Sequence, residues 1–297
     1  MSQFSRRDFL KSTVAAGIVT GAAASAAPAQ TIRRSATDWV PLGNSGVKVT
    51  RLAFGTGTYG GKVQRDLGQE QFTRLVRHAY DSGIRFFETA DAYAGMPQML
   101  ATALKGVPRD SYKLMTKYRL RETADPGETI DRFRKDLNTQ YFDILLLHCV
   151  RVPDWPEQYK RVRDEFSEAK EKKIILAHGA SCHGLLPLRA FPETTWLDVA
   201  LLRVNNDGTR MDTVQGESEQ KGDVNEVVTR IGQIHGRGAG VIGMKLMGEG
   251  RFTTPEQRDA SLKFVLGLGT VDAMTIGFKT TAEIDEAMTR INTHLKA

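Results

Sequence analysis

A chain of 297 residues, 40 % of them apolar, is long enough for one large β/α unit or two ordinary domains with a sizeable core. Its 41 Lys and Arg against 35 Asp and Glu leave a net charge of +6, but the two signs are interspersed along the whole length, which argues against a nucleic-acid-binding surface. Two cysteines, Cys149 and Cys182, exclude a disulfide framework, so stability has to come from packing.

Residues 1–29 stand apart. Ser5-Arg6-Arg7-Asp8-Phe9-Leu10-Lys11 precedes a mildly apolar stretch from Val14 to Ala27, then the small residues Ala27-Pro28-Ala29. A basic start, an Ala- and Gly-rich middle and small residues where a peptidase must fit the chain have the layout of a cleaved export signal. The paired arginines followed by Phe-Leu-Lys resemble a twin-arginine (Tat) signal peptide. That resemblance implies a periplasmic protein with the Tat export machinery as a partner and a mature domain over residues 30–297. The middle stretch is too weakly hydrophobic to span a bilayer stably, and no later stretch is apolar for long enough.

After a short polar linker over 31–38, Trp39-Val-Pro-Leu-Gly-Asn-Ser-Gly-Val-Lys-Val-Thr predicts a hairpin. From there short β-rich runs alternate with helical spacing. Strands are predicted over 51–55, 85–88, 113–117, 142–148, 174–181, 197–204, 240–244 and 273–277. Helices are predicted over 69–82, 97–105, 128–137, 156–172, 185–190, 224–236, 254–268 and 281–294. Asp143-Ile-Leu-Leu-Leu is apolar on both faces, as in a parallel strand with helices on one side and a core on the other. Such alternation builds either a closed barrel or an open doubly wound sheet. Polar residues at the C-terminal ends of several strands (Glu88, Lys117, His148, Ser181) favour the barrel, whose active sites draw on many strands, whereas an open sheet gathers ligand at one switch point. Gly55-Thr-Gly-Thr-Tyr-Gly-Gly is glycine-rich, but a lone glycine cluster carries little weight. The expected fold is an α/β (β/α)8 TIM barrel with an N-terminal β-hairpin, a single domain with no internal linker.

Reducing a carbonyl with hydride puts negative charge on its oxygen, so the site needs a proton donor and a cationic or polar neighbour. A tyrosine beside a lysine meets that need. Ile84-Arg-Phe-Phe-Glu-Thr-Ala-Asp-Ala-Tyr93-Ala-Gly, Leu114-Met-Thr-Lys117 and Asp143-Ile-Leu-Leu-Leu-His148 together resemble the aldo-keto reductase family. The likeness runs from about Val40 to the C-terminus, through Leu42-Gly-Asn-Ser-Gly-Val-Lys-Val and Gly240-Val-Ile-Gly-Met-Lys-Leu-Met-Gly.

That resemblance implies an NADP(H)-dependent oxidoreductase acting on a small carbonyl or alcohol. It makes Tyr93 the general acid and Lys117 the group that depresses its pKa. His148 then orients the carbonyl or assists proton transfer, and the carboxylate paired with Lys117 stands at residue 88. Glu88 departs from the family's aspartate, and Asp91 is a second carboxylate nearby. Among cofactor contacts, Ser181 and Cys182 occupy the place of a Ser-Asn pair at the nicotinamide amide. Lys245, Leu246 and Gly248 fall in the loop along the pyrophosphate. Lys279-Thr280 resembles a Lys-Ser at the 2′-phosphate, and a helix N-terminus there supplies free N–H donors and a positive dipole end. Gly55, Thr56 and Gly277, at the ends of the first and last strands, complete the set. The family's downstream arginine is missing, with Asp285 nearest its place, so NADPH is expected with NADH as the alternative. No metal-ligand set is expected.

Arg203, Asn205 and Asn206 end the sixth strand without a matched role. Two other functions fit the same residues: a non-catalytic nicotinamide-binding barrel used for sensing or partner binding, and a periplasmic sugar- or aldehyde-binding protein. Cys149 and Cys182 end neighbouring strands at about 5 Å spacing, so a bridge is open to them if the Cβ vectors converge. Free thiols lining the pocket are the favoured state.

Overall fold

The structure, a computed structural model, describes residues 34–120, 125–214, 216 and 219–295; the twin-arginine segment lies outside them. Strands β1 (Trp39–Pro41) and β2 (Lys48–Thr50) pair antiparallel as the expected hairpin. The barrel then runs β3 (Leu52–Gly55), α1 (Lys62–Arg65), α2 (Gly68–Asp81), β4 (Phe86–Glu88), α3 (Met96–Ala103), β5 (Lys113–Arg119), α4 (Pro126–Asp136), β6 (Phe142–Val150), α5 (Trp155–Gln158), α6 (Lys160–Glu171), β7 (Ile175–Cys182), α7 (Leu185–Leu188), β8 (Val199–Arg203), α8 (Val224–Gly236), β9 (Gly240–Met244), α9 (Pro255–Gly267), β10 (Ala273–Gly277) and α10 (Thr281–Leu295). Strands β3 to β10 form a closed barrel of eight parallel strands, with β10 pairing back onto β3. The α/β TIM barrel expected from the alternation is the fold observed.

Helix starts follow local chemistry. Asp125 accepts from the Glu128 N–H at 3.0 Å before Pro126, Asp223 accepts from the Glu226 N–H at 2.9 Å, and Thr254 and Gln257 form a reciprocal capping box before α9. Two predicted helices come out differently. The 156–172 segment breaks at Tyr159 into α5 and α6, because Tyr159 leaves helical geometry at φ −105°, ψ 24°. The 185–190 segment is one turn, α7, followed by a 3-10 turn at Phe191–Glu193 that carries Pro192. The four-residue α1 was not anticipated.

Strand period puts alternate residues into two separate cores. Ala53, Phe86, Met115, Ile144, Leu146, Ala177, Leu201, Ile242 and Ala273 fill the barrel interior, while Phe54, Phe87, Leu114, Leu145, Leu147 and Ala180 pack against the helices. The hairpin plugs the N-terminal end: Leu42, Val47 and Val49 join the interior core. Gly43 makes that plug possible, since at φ +49° a Cβ would lie 2.3 Å from the Gly238 carbonyl oxygen. Continuing the inward alternation two residues on brings Gly55, Glu88, Lys117, His148, Ser181, Arg203 and Thr275 to the C-terminal mouth.

Candidate active site at the barrel mouth

The register sets Gly55 beside Glu88, and the Glu88 carboxylate bonds the Lys117 ammonium directly across the strands. Lys117 also donates to the Thr89 carbonyl at 3.0 Å, and Thr275 Oγ1 donates to the other Glu88 oxygen at 3.2 Å. Both partners of the pair are buried, Lys117 at 2 % and Glu88 at 4 % exposure. The longer glutamate therefore keeps the ion pair. Asp91 is not a substitute, for it pairs with Arg132 of α4 at 2.8 Å.

Tyr93, on the loop after β4, stands over this pair. Lys117 Nζ lies 4.8 Å from the Tyr93 ring centroid, over its face, and the His148 ring meets Tyr93 edge-on at 5.4 Å and 86°. Gly57 leaves room for the phenol: a Cβ there would sit 2.6 Å from the Tyr93 hydroxyl. Burial pushes the Tyr93 phenol well up, with Cys149 and Glu249 adding to it. The net shift is upward, opposite to the lowering expected from Lys117, and the phenol stays protonated at neutral pH. Burial, with Lys245 close by, draws Lys117 well below the usual lysine value, and burial with Lys117 and Arg119 does the same to His148, which is neutral.

His148 sits beside a bulge. The β6–β7 register shifts between Leu147 and Val150, Cys149 adopts φ +63°, and its N–H donates to Ser181 Oγ at 2.8 Å. The Ser181 hydroxyl is thereby engaged on β6 backbone and is fully buried. Both cysteines are free thiols, as favoured from the sequence. Only Cys149 is near the mouth, however. Because Ser181 faces inward, Cys182 faces outward, joins the helix-side core and donates to the Gly184 carbonyl at 3.3 Å, so the expectation that both thiols line the pocket is corrected.

From this group a cavity of about 420 Å³ runs to the flanks of α9 and α10. Glu88, Tyr93, Lys117, Gly55, Lys245, Leu246, Gly277 and Lys279 all line it, whereas His148, Ser181, Thr56, Gly248 and Thr280 do not. Thr56 is buried and its N–H bonds the Glu88 carbonyl at 3.1 Å; Gly248 turns the post-β9 loop at φ +56°. Thr280 caps α10 by accepting from the Glu283 N–H at 3.2 Å, and the Glu283 carboxylate takes the Lys279 N–H at 2.6 Å.

Two further cavity cations, Arg258 and Arg290, were not foreseen from the sequence. Each donates to Glu286 Oε1, at 2.8 Å in their shortest contacts. They stand far apart in sequence on two helices, and no motif links them. Nearer Tyr93, Glu249 is bonded by Lys245 and, at 2.7 Å, by Arg210; burial acts to raise its pKa, but the two cations outweigh it and hold the carboxyl below its usual value. Asn205 organises the loop after β8 by donating to the Thr209 and Lys245 carbonyls at 2.8 and 3.2 Å. Among the described residues no group of His, Cys, Asp and Glu is placed to hold a metal, and no helix is long and apolar enough to cross a membrane.

The chain is similar to several known proteins. "Probable aldo-keto reductase 1" of Glycine max is 27 % identical over 163 residues, 47 % of each chain, and "L-galactose dehydrogenase" of Arabidopsis thaliana is 36 % identical over 118 residues, 36 % of each. The chain thus spans less than half the length of these curated relatives. A crystal structure of an aldo-keto reductase from Pseudomonas aeruginosa superposes with TM-score 0.69 at 20 % identity, over 89 % of this chain and 98 % of that one. The holo form of an aldo-keto reductase from Bacillus halodurans does so with TM-score 0.67 at 18 % identity, over 88 % and 95 %. These two show a shared fold. The model of the aldo/keto reductase family matches residues 51–267, and with Tyr93, Lys117 and His148 gathered at one barrel mouth the chain belongs to that family.

Proposed function

We propose that this protein is an NADP(H)-dependent oxidoreductase that interconverts a small aldehyde or ketone and its alcohol, with Tyr93 as general acid and base. The observation that carries this is the meeting of three groups, the protonated Tyr93 phenol, the neutral His148 imidazole and the buried Lys117–Glu88 pair, at the head of a cavity lined by cations. Aldo-keto reductases generally use NAD(P)H, and the cavity suits such a polyanion: Lys245, Arg258, Lys279 and Arg290 line it, with Glu249 paired to Lys245 and Glu286 to both arginines. The reduced nicotinamide, when bound, supplies the hydride that reaches the carbonyl carbon. As the C=O π bond breaks, Tyr93 gives its proton to the developing alkoxide, and water returns a proton to the phenolate. Neutral His148 holds the carbonyl oxygen by hydrogen bond. Lys117, tied down by Glu88 and the Thr89 carbonyl, keeps a fixed cationic or polar head under the Tyr93 ring, which favours the phenolate form.

Loss of absorbance near 340 nm on mixing purified protein, NADPH and a panel of small aldehydes and ketones tests this. Turnover supports it, and a protein that binds NADPH yet oxidises none of it across the panel overturns it. Localisation belongs to the same proposal: residues 1–29 direct folded protein through the Tat route to the periplasm, with nucleotide bound beforehand. Replacing Arg6 and Arg7 by Lys should leave the protein in the cytoplasm.

A further inference from the structure

His183 follows β7 at the barrel mouth and had no place among the residues singled out from the sequence. Its ring stands edge-on to His148, with centroids 6.5 Å apart and planes at 87°, and continues the row that begins Tyr93–His148. The residue is fixed from behind: its backbone N–H donates to the Val150 carbonyl at 3.0 Å, and the guanidinium of Arg203 meets the ring at Nδ1. Arg203 is itself 1 % exposed and lies 3.4 Å from the fully buried Asp212 carboxylate. A guanidinium only donates and does not deprotonate, so Nδ1 is the acceptor and the ring proton is on Nε2. Burial, Arg203 and His148 hold the imidazole far below its usual pKa, so this neutral tautomer persists across physiological pH. Among the described residues no acceptor engages Nε2, and none engages the Tyr93 hydroxyl or the nitrogens of His148.

We propose that His183 is a substrate-positioning residue whose Nε2–H holds a second substrate oxygen, on the carbon next to the reacting carbonyl, and that α-hydroxy carbonyl compounds are the preferred substrate class. This rests on the reductase activity proposed above. One carbonyl oxygen is already served by Tyr93 and His148, so a third fixed donor in the same row calls for another acceptor. Two rings 6.5 Å apart, each reaching about 2.9 Å to an oxygen, serve two oxygens a few ångströms apart, the spacing found on neighbouring carbons. A buried guanidinium and carboxylate spent on setting one tautomer are a device for a donor of fixed direction.

Hydroxyacetone and butanone differ only by OH for CH3 beside the carbonyl, and the ratio of their kcat/KM values with saturating NADPH reads the second contact while cancelling their intrinsic reactivities between variants. In His183→Ala the ratio should fall about tenfold, mainly through KM for hydroxyacetone, as expected for one neutral hydrogen bond. His183→Gln, which keeps an N–H donor, should recover part of the preference. An unchanged ratio in an active His183→Ala enzyme overturns the proposal, as do equal losses on both ketones with weaker NADPH binding, or Ala and Gln variants that are equally deficient. A wild-type protein inactive on both ketones, and on every other carbonyl, overturns the reductase activity itself and is thereby distinguishable.

Discussion

Removing one charge from the Glu88–Lys117 pair should expose how the site is held. Glu88→Gln keeps the side-chain shape and an acceptor for Thr275, while Lys117 keeps its 3.0 Å bond to the Thr89 carbonyl, but the ammonium loses its counter-ion at 2 % exposure. Breaking a buried pair from one side costs about 3–5 kcal/mol. In the wild type the pair holds one proton between two groups, and the unfolded chain at neutral pH holds one on the same two, so the pair adds little pH dependence between roughly 4.3 and 10.4. In the variant, burial drives Lys117 deprotonated in the folded state, and unfolding takes up a proton. Folded-state pKa lowered below the unfolded value means stability that rises with pH above the depressed value and levels off near the unfolded one, about 10.4. The gap between wild type and variant, read from urea unfolding, should therefore narrow by about 1.4 kcal/mol per pH unit, or roughly 2.7 kcal/mol from pH 7 to pH 9. A gap below about 1 kcal/mol at pH 7, or one that does not change with pH, refutes the buried-pair account.

Lys279→Met should weaken NADPH binding by about ten- to a hundredfold while leaving NADH nearly unaffected, as measured by fluorescence titration; equal losses would move the 2′-phosphate elsewhere. Gly57→Ala places a Cβ 2.6 Å from the Tyr93 hydroxyl and should lower kcat/KM by about a hundredfold with the fold intact by circular dichroism; near-normal turnover would mean that the phenol need not stay where it is. A thiol reagent added to native protein without reductant should titrate Cys149 alone, with Cys182 reacting only on unfolding, because burial both hides it and pushes its thiol well up. Two fast native thiols, or none, would contradict that placement.

The barrel was legible because its causes are local and repeated. A strand such as Asp143-Ile-Leu-Leu-Leu carries its two-sided burial in its composition, and the odd-even period carries Glu88, Lys117 and His148 to one end. The same period, applied one residue further, would have separated Ser181 from Cys182, one inward and one outward. What stayed hidden is what needs distance. Arg258 and Arg290 meet at Glu286 only once α9 and α10 have packed, and Arg203 finds His183 only across β7 and β8. Nor does a sequence show how deeply a group is buried: a lysine beside a tyrosine reads as a pKa-lowering partner, yet burial of the phenol, the largest cause, drives the shift upward.

The central claim rests on one proton. Tyr93→Phe removes it and leaves the ring that packs against His148 and over Lys117. With a carbonyl that the wild type reduces, kcat for the variant should fall by about 10²–10⁴-fold while the NADPH dissociation constant stays within about twofold. Turnover within a few-fold of wild type, at unchanged cofactor affinity, would show that the proton comes from elsewhere and that Tyr93 is only part of the wall.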